Sequence, residues 1–167
     1  MTGVFIGLGS NLGDREVNLN KAIQLISQGL PVLATSSLYQ TVPEGYGNQP
    51  DFLNSVAHVD TDATAGELLK ILGGIEMLMG RERAFTNAPR TIDLDLLFFG
   101  EAIINQPDLE VPHPRLHQRA FVLVPMAEIA PDFVHPVLHK SMKELLAGLA
   151  PGYRVDKWVT DKDKGYD

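Results

Sequence analysis

Two aspartates one residue apart, Asp93 and Asp95, stand in the otherwise apolar stretch PRTIDLDLLFFG, from Pro89 to Gly100. On a strand, residues i and i+2 point to the same face, so the two carboxylates share one side while Ile92, Leu94 and Leu96 fill the other. Their Cα atoms then lie about 6.5–7 Å apart. Carboxylates that close repel each other and lose hydration unless a positive charge compensates. A hard divalent cation does so: Mg²⁺ takes carboxylate oxygens, keeps several waters and is usually shared with substrate phosphates. The pair is therefore a candidate floor for one or two Mg²⁺ ions beneath a polyphosphate. The same pattern also suits an edge strand whose aspartates face water or pair with Arg90 or Arg119.

The cations support an anion site nearby. The chain has seven arginines and seven lysines, and Arg81, Arg83, Arg90, Arg115 and Arg119 fall in its middle, where no lysine occurs between Lys70 and Lys140. Arginine's planar fork grips phosphate or carboxylate in bidentate fashion, which lysine cannot do. Chance together with structural ion pairs accounts for the bias equally well.

Other motifs are weaker. GLGSNLG, from Gly7 to Gly13, spaces its glycines as G-x-G-x-x-x-G, which is not a dinucleotide fingerprint, and no phosphate-binding G-x-x-x-x-G-K-[ST] occurs. It reads best as a tight strand-to-helix turn. HPRLH at His113–His117 and HPVLH at His135–His139 lack the glutamate of a zinc-binding helix. His113 lies close to Arg115 and Arg119 and can donate to a phosphate oxygen. His58 reads as a structural histidine within a strand. Phe52 and Phe121 each head an element beside a polar residue, Asn54 and Arg119. Two such rings can sandwich a flat heterocycle, although burial in the core is the simpler reading.

These residues need a scaffold, and the hydrophobic pattern supplies one. GVFIGLGS reads as a buried strand. Asp14 caps a helix with Val17, Ile23, Leu25 and Ile26 inward, ending at Gly29. Residues 31–41 read as a second strand, 42–51 as a Pro- and Gly-rich loop, and 52–61 as a third strand. A second helix spans 64–80, with Leu68, Leu69, Leu72, Ile75 and Leu78 or Met79 inward. A loop over 81–89 leads to the aspartate strand, a small hairpin, and a short helix interrupted near Pro125. The order β-α-β-β-α-β predicts an α+β fold of the ferredoxin-like type, an antiparallel sheet with helices and further C-terminal elements.

Composition narrows the classes. The 167 residues suit one domain, with a core over about 1–150 and a loose tail over 160–167. Cysteine is absent, which excludes disulfides and thiolate metal sites and agrees with a reducing, cytoplasmic setting. The first residues lack the basic flank of a signal peptide, and no run of apolar residues suffices for a membrane span. A net charge of −7 argues against a nucleic-acid partner. A monomer is expected, with a homodimer as the alternative.

Taken together, GLGSNLGDR, YQTVPEGYGNQPDFLN, GRER, PRTIDLDLLFFG and VPHPRLHQRAF resemble the 6-hydroxymethyl-7,8-dihydropterin pyrophosphokinases of folate biosynthesis, in order and spacing, over about residues 3–135. The resemblance implies a ferredoxin-like α/β fold and Mg²⁺-dependent transfer of the pyrophosphoryl group of ATP to the hydroxymethyl oxygen of a reduced pterin, releasing AMP. It implies that Asp93 and Asp95 hold two Mg²⁺ ions. Arg81, Arg90 and His113 would bind the phosphates, assisted by Arg83 and Arg119, with Arg81 and Arg90 counted among the catalytic groups. Glu76 and Leu96 would fall on the nucleotide side. Phe52 and Phe121 would flank the pterin, and Asn54 with groups at Thr41, Val42 and Pro43 would read its edge. The segments 80–89 and 42–50 would close over the two substrates, which suits a reaction that needs positioning and charge neutralisation more than a side-chain base.

Four positions, at three places in the chain, depart from the family pattern. Asn87-Ala88 stands where many members carry Trp-Gly, Val42 where a proline is frequent, and Pro114 where some have tyrosine. Two other readings remain: a nucleotide-binding regulatory module without turnover, and a non-enzymatic assembly domain. Neither explains the paired aspartates. Within a chain of 167 residues, a second catalytic domain of the same pathway is not expected.

Overall fold

The apolar alternation of the first strand decides how the molecule is layered. In the computed structural model, which describes residues 3–42, 51–80 and 91–160, β1 spans Val4–Ser10. Val4, Ile6 and Leu8 project to one face of the sheet, whereas Phe5 projects to the other.

Asp14 caps α1 (Arg15–Gly29) by accepting the Val17 N–H at 3.2 Å. The buried stripe of this helix is Leu19, Ala22 and Ile26; Ile23 and Leu25 only flank it, and Val17 is exposed. Val17 sits in the first turn, before the helix has settled onto the sheet. Thr64 caps α2 (Ala65–Leu78) through the Glu67 N–H. Leu68, Leu72, Ile75 and Met79 face inward, and Leu78 faces solvent.

The expected second strand is broken in two, β2 (Val32–Thr35) and β3 (Tyr39–Thr41). The break has a chemical cause. The Ser36 hydroxyl accepts the Val56 N–H at 2.9 Å and donates to the Ser37 carbonyl, replacing part of the ladder. Ser37 is drawn toward the opposite layer, where its N–H and hydroxyl both donate to Glu128 at 2.6 Å. Beside it, burial and then the Glu128 carboxylate push the Tyr39 hydroxyl pKa upward.

β4 (Phe52–Val59) pairs antiparallel with β1 on one side and with β2 and β3 on the other. β5 (Asp93–Phe99) lies on the outer side of β1. The sheet order is β5-β1-β4-β3-β8, with β8 spanning Val155–Lys157 and β2 also on β4. Counting β2 and β3 as one interrupted strand, this is the ferredoxin-like arrangement that the element order predicts. A small hairpin, β6 (Ile104–Gln106) with β7 (Leu109–Val111), follows as expected.

Helices α1 and α2 cover the face of Ile6, Leu8, Leu94 and Leu96. The other face is covered by α3 (Ala120–Ile129) and α4 (Met142–Ala147), which pack Val122, Leu123, Met126 and Met142 onto Phe5, Val56, Leu97 and Phe98. A register shift opposite Phe5 and Ile6 lets Leu97 and Phe98 both join this second core. Contrary to expectation, α3 runs through Pro125 without a break. Pro125 is itself buried, and packing outweighs the one helical hydrogen bond that proline removes.

The chain past residue 150 also contributes. β8 (Val155–Lys157) forms the outer strand beside β3. No helix among the described residues is long and apolar enough to cross a membrane.

Candidate functional site

A cleft opens along the second half of β1, between the sheet and the start of α3. Its cavity volume is about 100 Å³. Its walls include Asp93, Asp95, Phe52, Phe121, Asn54 and Arg119, together with Thr41 and Val42.

The aspartate pair sits as the period-two argument requires. Asp93 and Asp95 alternate with buried Leu94 and Leu96 and stay half-buried at the cleft. β5 is an edge strand, so its outer N–H groups need partners. Glu76, on α2, accepts the Leu94 N–H at 2.9 Å. This bond fixes the strand between the two aspartates and gives Glu76 a definite place: it holds the carrier of the carboxylates. Leu96 points its side chain into the α1–α2 core and away from the cleft. Because side chains alternate along a strand, Leu96 cannot share the face of Asp95.

The glycines that read as a turn do something else. Gly7 and Gly9 lie inside β1, directly opposite Asp95 and Asp93 in register, and both line the cleft. Only Gly13, at φ +72°, serves the turn into α1. A Cβ on Gly9 would stand 2.9 Å from Asn54 Oδ1 and 3.4 Å from a Phe52 ring carbon. Bare backbone at this position keeps the floor low beneath the aspartates and Asn54. The clue available in the sequence was the matched spacing of G-x-G and D-x-D, which two neighbouring antiparallel strands superpose. Leu97, Val56 and Val122 also line the cleft and carried no separate signal.

The opposite end of the cleft is aromatic and amide-bearing. Asn54 is buried, and its Nδ2 donates to Thr41 Oγ1 at 2.6 Å. Phe52 and Phe121 both line the cleft, half-buried, and Phe121 also packs against the second core. The Arg119 guanidinium carbon lies 5.4 Å from the Phe121 ring centroid, in the range of a cation–π contact. His113 is anchored to β5 through its N–H, which donates to the Leu97 carbonyl at 3.1 Å. Arg81, Arg83, Arg90 and Pro43 lie outside the described residues, as do the segments 43–50 and 81–90.

The remaining histidines serve the fold. His58 Nε2 accepts the Gly3 N–H and its ring stacks on Phe5 at 4.5 Å; burial lowers its pKa, partly opposed by Asp60. His135 Nδ1 accepts the Val137 and Leu138 N–H groups at 3.1 Å. Burial lowers its pKa too, and so do His117 and His139. Among the described residues no group of three or more His, Cys, Asp or Glu side chains could hold a metal by itself. Two half-buried carboxylates on one face nevertheless suit a hard cation that takes its other ligands from water and a phosphate-bearing substrate.

Comparison with known proteins decides the family. A family model described as 7,8-dihydro-6-hydroxymethylpterin-pyrophosphokinase (HPPK) matches residues 5–131. The chain belongs to that family. It is 46% identical over 127 residues to the 2-amino-4-hydroxy-6-hydroxymethyldihydropteridine pyrophosphokinase of Bacillus subtilis, covering 75% of this chain and 76% of that one. It is 38% identical over 149 residues to the folic acid synthesis protein FOL1 of Dictyostelium discoideum, covering 89% of this chain but 23% of that protein. Among solved structures, a Plasmodium falciparum HPPK-DHPS crystal structure shares the fold, with a TM-score of 0.72 at 18% identity, over 88% of this chain and 43% of that one. The chain thus spans less than half of these two longer proteins, and most of the Bacillus enzyme.

Proposed function

We propose that the chain transfers the pyrophosphoryl group of ATP to the hydroxymethyl oxygen of 6-hydroxymethyl-7,8-dihydropterin, releasing AMP, as a step of folate biosynthesis. The observation that carries this reading is the composition of one cleft. It has a carboxylate pair on β5 and, toward β4 and α3, two aromatic rings with a buried carboxamide and the Arg119 guanidinium over Phe121. A polyanion suits the first and a flat, amide-edged heterocycle suits the second.

In this reading Asp93 and Asp95 would hold two Mg²⁺ ions, which, when bound, neutralise the triphosphate and make the hydroxyl a better nucleophile. Arg81, Arg90 and His113 bind the phosphates, with Arg83 and Arg119 assisting. Leu96 contributes through its main chain on the outer edge of β5, the edge on which the Leu94 N–H meets Glu76. Phe52 and Phe121 hold the pterin ring, while Asn54, Thr41, Val42 and Pro43 define its edge. The hydroxymethyl oxygen bonds to the β-phosphorus, and the bond from that phosphorus to the α–β bridging oxygen breaks. AMP departs with the bridging oxygen, and the hydroxyl proton passes to solvent. The protein's part is in-line positioning and charge neutralisation. The chain acts as a single-domain monomer in the cytoplasm.

The test is AMP release from ATP with Mg²⁺ and the pterin. The expected result is release that requires all three. ATP binding without AMP release in the presence of pterin would favour the regulatory-module reading instead.

A further inference from the structure

The pterin end of the cleft stands at a thin corner of the sheet. The pairing of β1 with β4 stops at Ser10 and Leu53, so Phe52 has only Thr41 of β3 as a strand partner. β3 itself is three residues long. The outer side of β3 is held by β8, with Thr41 opposite Val155 and Gln40 opposite Asp156.

Asp51, immediately before Phe52, is gripped from three directions. Arg15 Nη1 of α1 donates to its carbonyl at 2.7 Å. Gln40 Nε2 of β3 donates to its Oδ2 at 3.1 Å. Arg154, just before β8, reaches the same oxygen at 3.3 Å. These anchors are tied together in turn. The Arg15 guanidinium lies 5.1 Å over the Trp158 ring, and Trp158 Nε1 donates to Glu16 Oε1 at 2.8 Å. The Trp158 N–H donates to the Leu38 carbonyl at 2.8 Å. The C-terminal strand, the start of α1 and β3 thus converge on one residue that faces away from the chemistry.

We infer that Asp51 is a positioning residue for the pterin, and that β8 with Arg154 and Trp158 buttresses the wall formed by Phe52, Thr41 and Asn54. The inference rests on the reading of that wall as the pterin subsite. Arg154 is 60% exposed along its side chain, so its pair with Asp51 contributes little to global stability. Its value lies in fixing where β4 begins. Without the grip, Phe52 loses its place against Thr41, and the bond from Asn54 to Thr41 loses its alignment. The phosphate end, carried by β5 on the far side of β1, keeps its geometry.

The test compares Asp51→Ala, Arg15→Ala and Asp51→Asn in the full chain, with Phe121→Ala as comparator. Pterin and ATP are titrated separately, and kcat is measured at saturation. The pterin KM should rise about 3- to 10-fold in Asp51→Ala and in Arg15→Ala, the equivalent of one lost hydrogen bond. The ATP KM and kcat should stay within about twofold, well inside one hydrogen bond's worth. Asp51→Asn keeps an acceptor for Gln40 and should restore most of the affinity. Arg15→Ala removes the donor to the Asp51 carbonyl and the guanidinium over Trp158 but leaves the Asp51 carboxylate with Gln40 and Arg154, so it serves if Asp51→Ala does not fold. Unchanged pterin affinity in both alanine variants, with Phe121→Ala still impaired, overturns the inference alone. Equal losses for both substrates also overturn it, because a merely structural role predicts that. Unchanged pterin affinity in Phe121→Ala removes the pterin subsite and this inference with it.

Discussion

Gly9→Ala is the sharpest probe of the cleft floor. The added methyl would stand 2.9 Å from Asn54 Oδ1 and 3.4 Å from the Phe52 ring. The first distance is too short for any carbon–oxygen contact of this kind, so the carboxamide must turn. It is not free to turn cheaply, because its Nδ2 is committed to Thr41 Oγ1 at 2.6 Å in a buried setting. Breaking that bond leaves buried polar groups short of a partner, at about 1–3 kcal/mol, which is about 5- to 140-fold in affinity if it falls on pterin binding. The assay is pterin titration of Gly9→Ala, with ATP titrated in parallel and the urea midpoint recorded. The control is Gly7→Ala, whose methyl would first meet Leu97 side-chain atoms at 3.4 Å, an ordinary contact, and which should lose less. A folded Gly9→Ala protein with wild-type pterin affinity would refute the reasoning that Asn54, held against Thr41, reads the substrate.

Three further outcomes follow from the same geometry. Phe121→Ala should weaken pterin binding more than ATP binding, and the reverse ranking in paired titrations would reassign the ring to the nucleotide. Glu76→Ala should destabilise the fold by about 1–3 kcal/mol in urea unfolding, because the Leu94 N–H loses a charged acceptor; an unchanged midpoint would count against Glu76 as the anchor of β5. His135 has its pKa lowered by burial, so the unfolded chain binds the extra proton first as pH falls. Stability should therefore drop as pH falls below about 6.5 and be insensitive to this group above it. His135→Asn, which retains an acceptor for Val137 and Leu138, should flatten that slope between pH 5 and 7, with His58 keeping part of it. An undiminished slope in urea midpoints would exclude His135 as its source.

Much of the fold was legible because its signals were periodic. β1, β4 and β5 alternate or run apolar, α2 repeats at helical spacing, and α1 carries its capping side chain at the expected Asp14. The aspartate pair was legible for the same reason, since period two fixes which side chains share a face. What was hidden depended on tertiary partners. Ser36 breaks the second strand only because Val56 is there to meet its hydroxyl. Pro125 stays helical because the core around α3 accepts its ring. Phe52 and Phe121 look like core until β4 and α3 are seen to set them along one cleft. Gly7 and Gly9 passed as turn residues because their meaning appears only when β1 and β5 are set in register. The role of β8 was out of reach, since three residues of modest β character announce nothing until β3 offers them an edge.

The claim that Asp93 and Asp95 hold divalent ions against the triphosphate is tested most directly by Asp95→Asn, assayed for Mg²⁺-dependent AMP release with saturating ATP and pterin. The expected result is a fall in kcat of about 10²- to 10³-fold, on the scale of losing one preorganised electrostatic partner of the transition state. The urea midpoint should hold or rise, because one charge of a repelling pair is gone. Wild-type turnover in the folded Asp95→Asn protein would contradict the account.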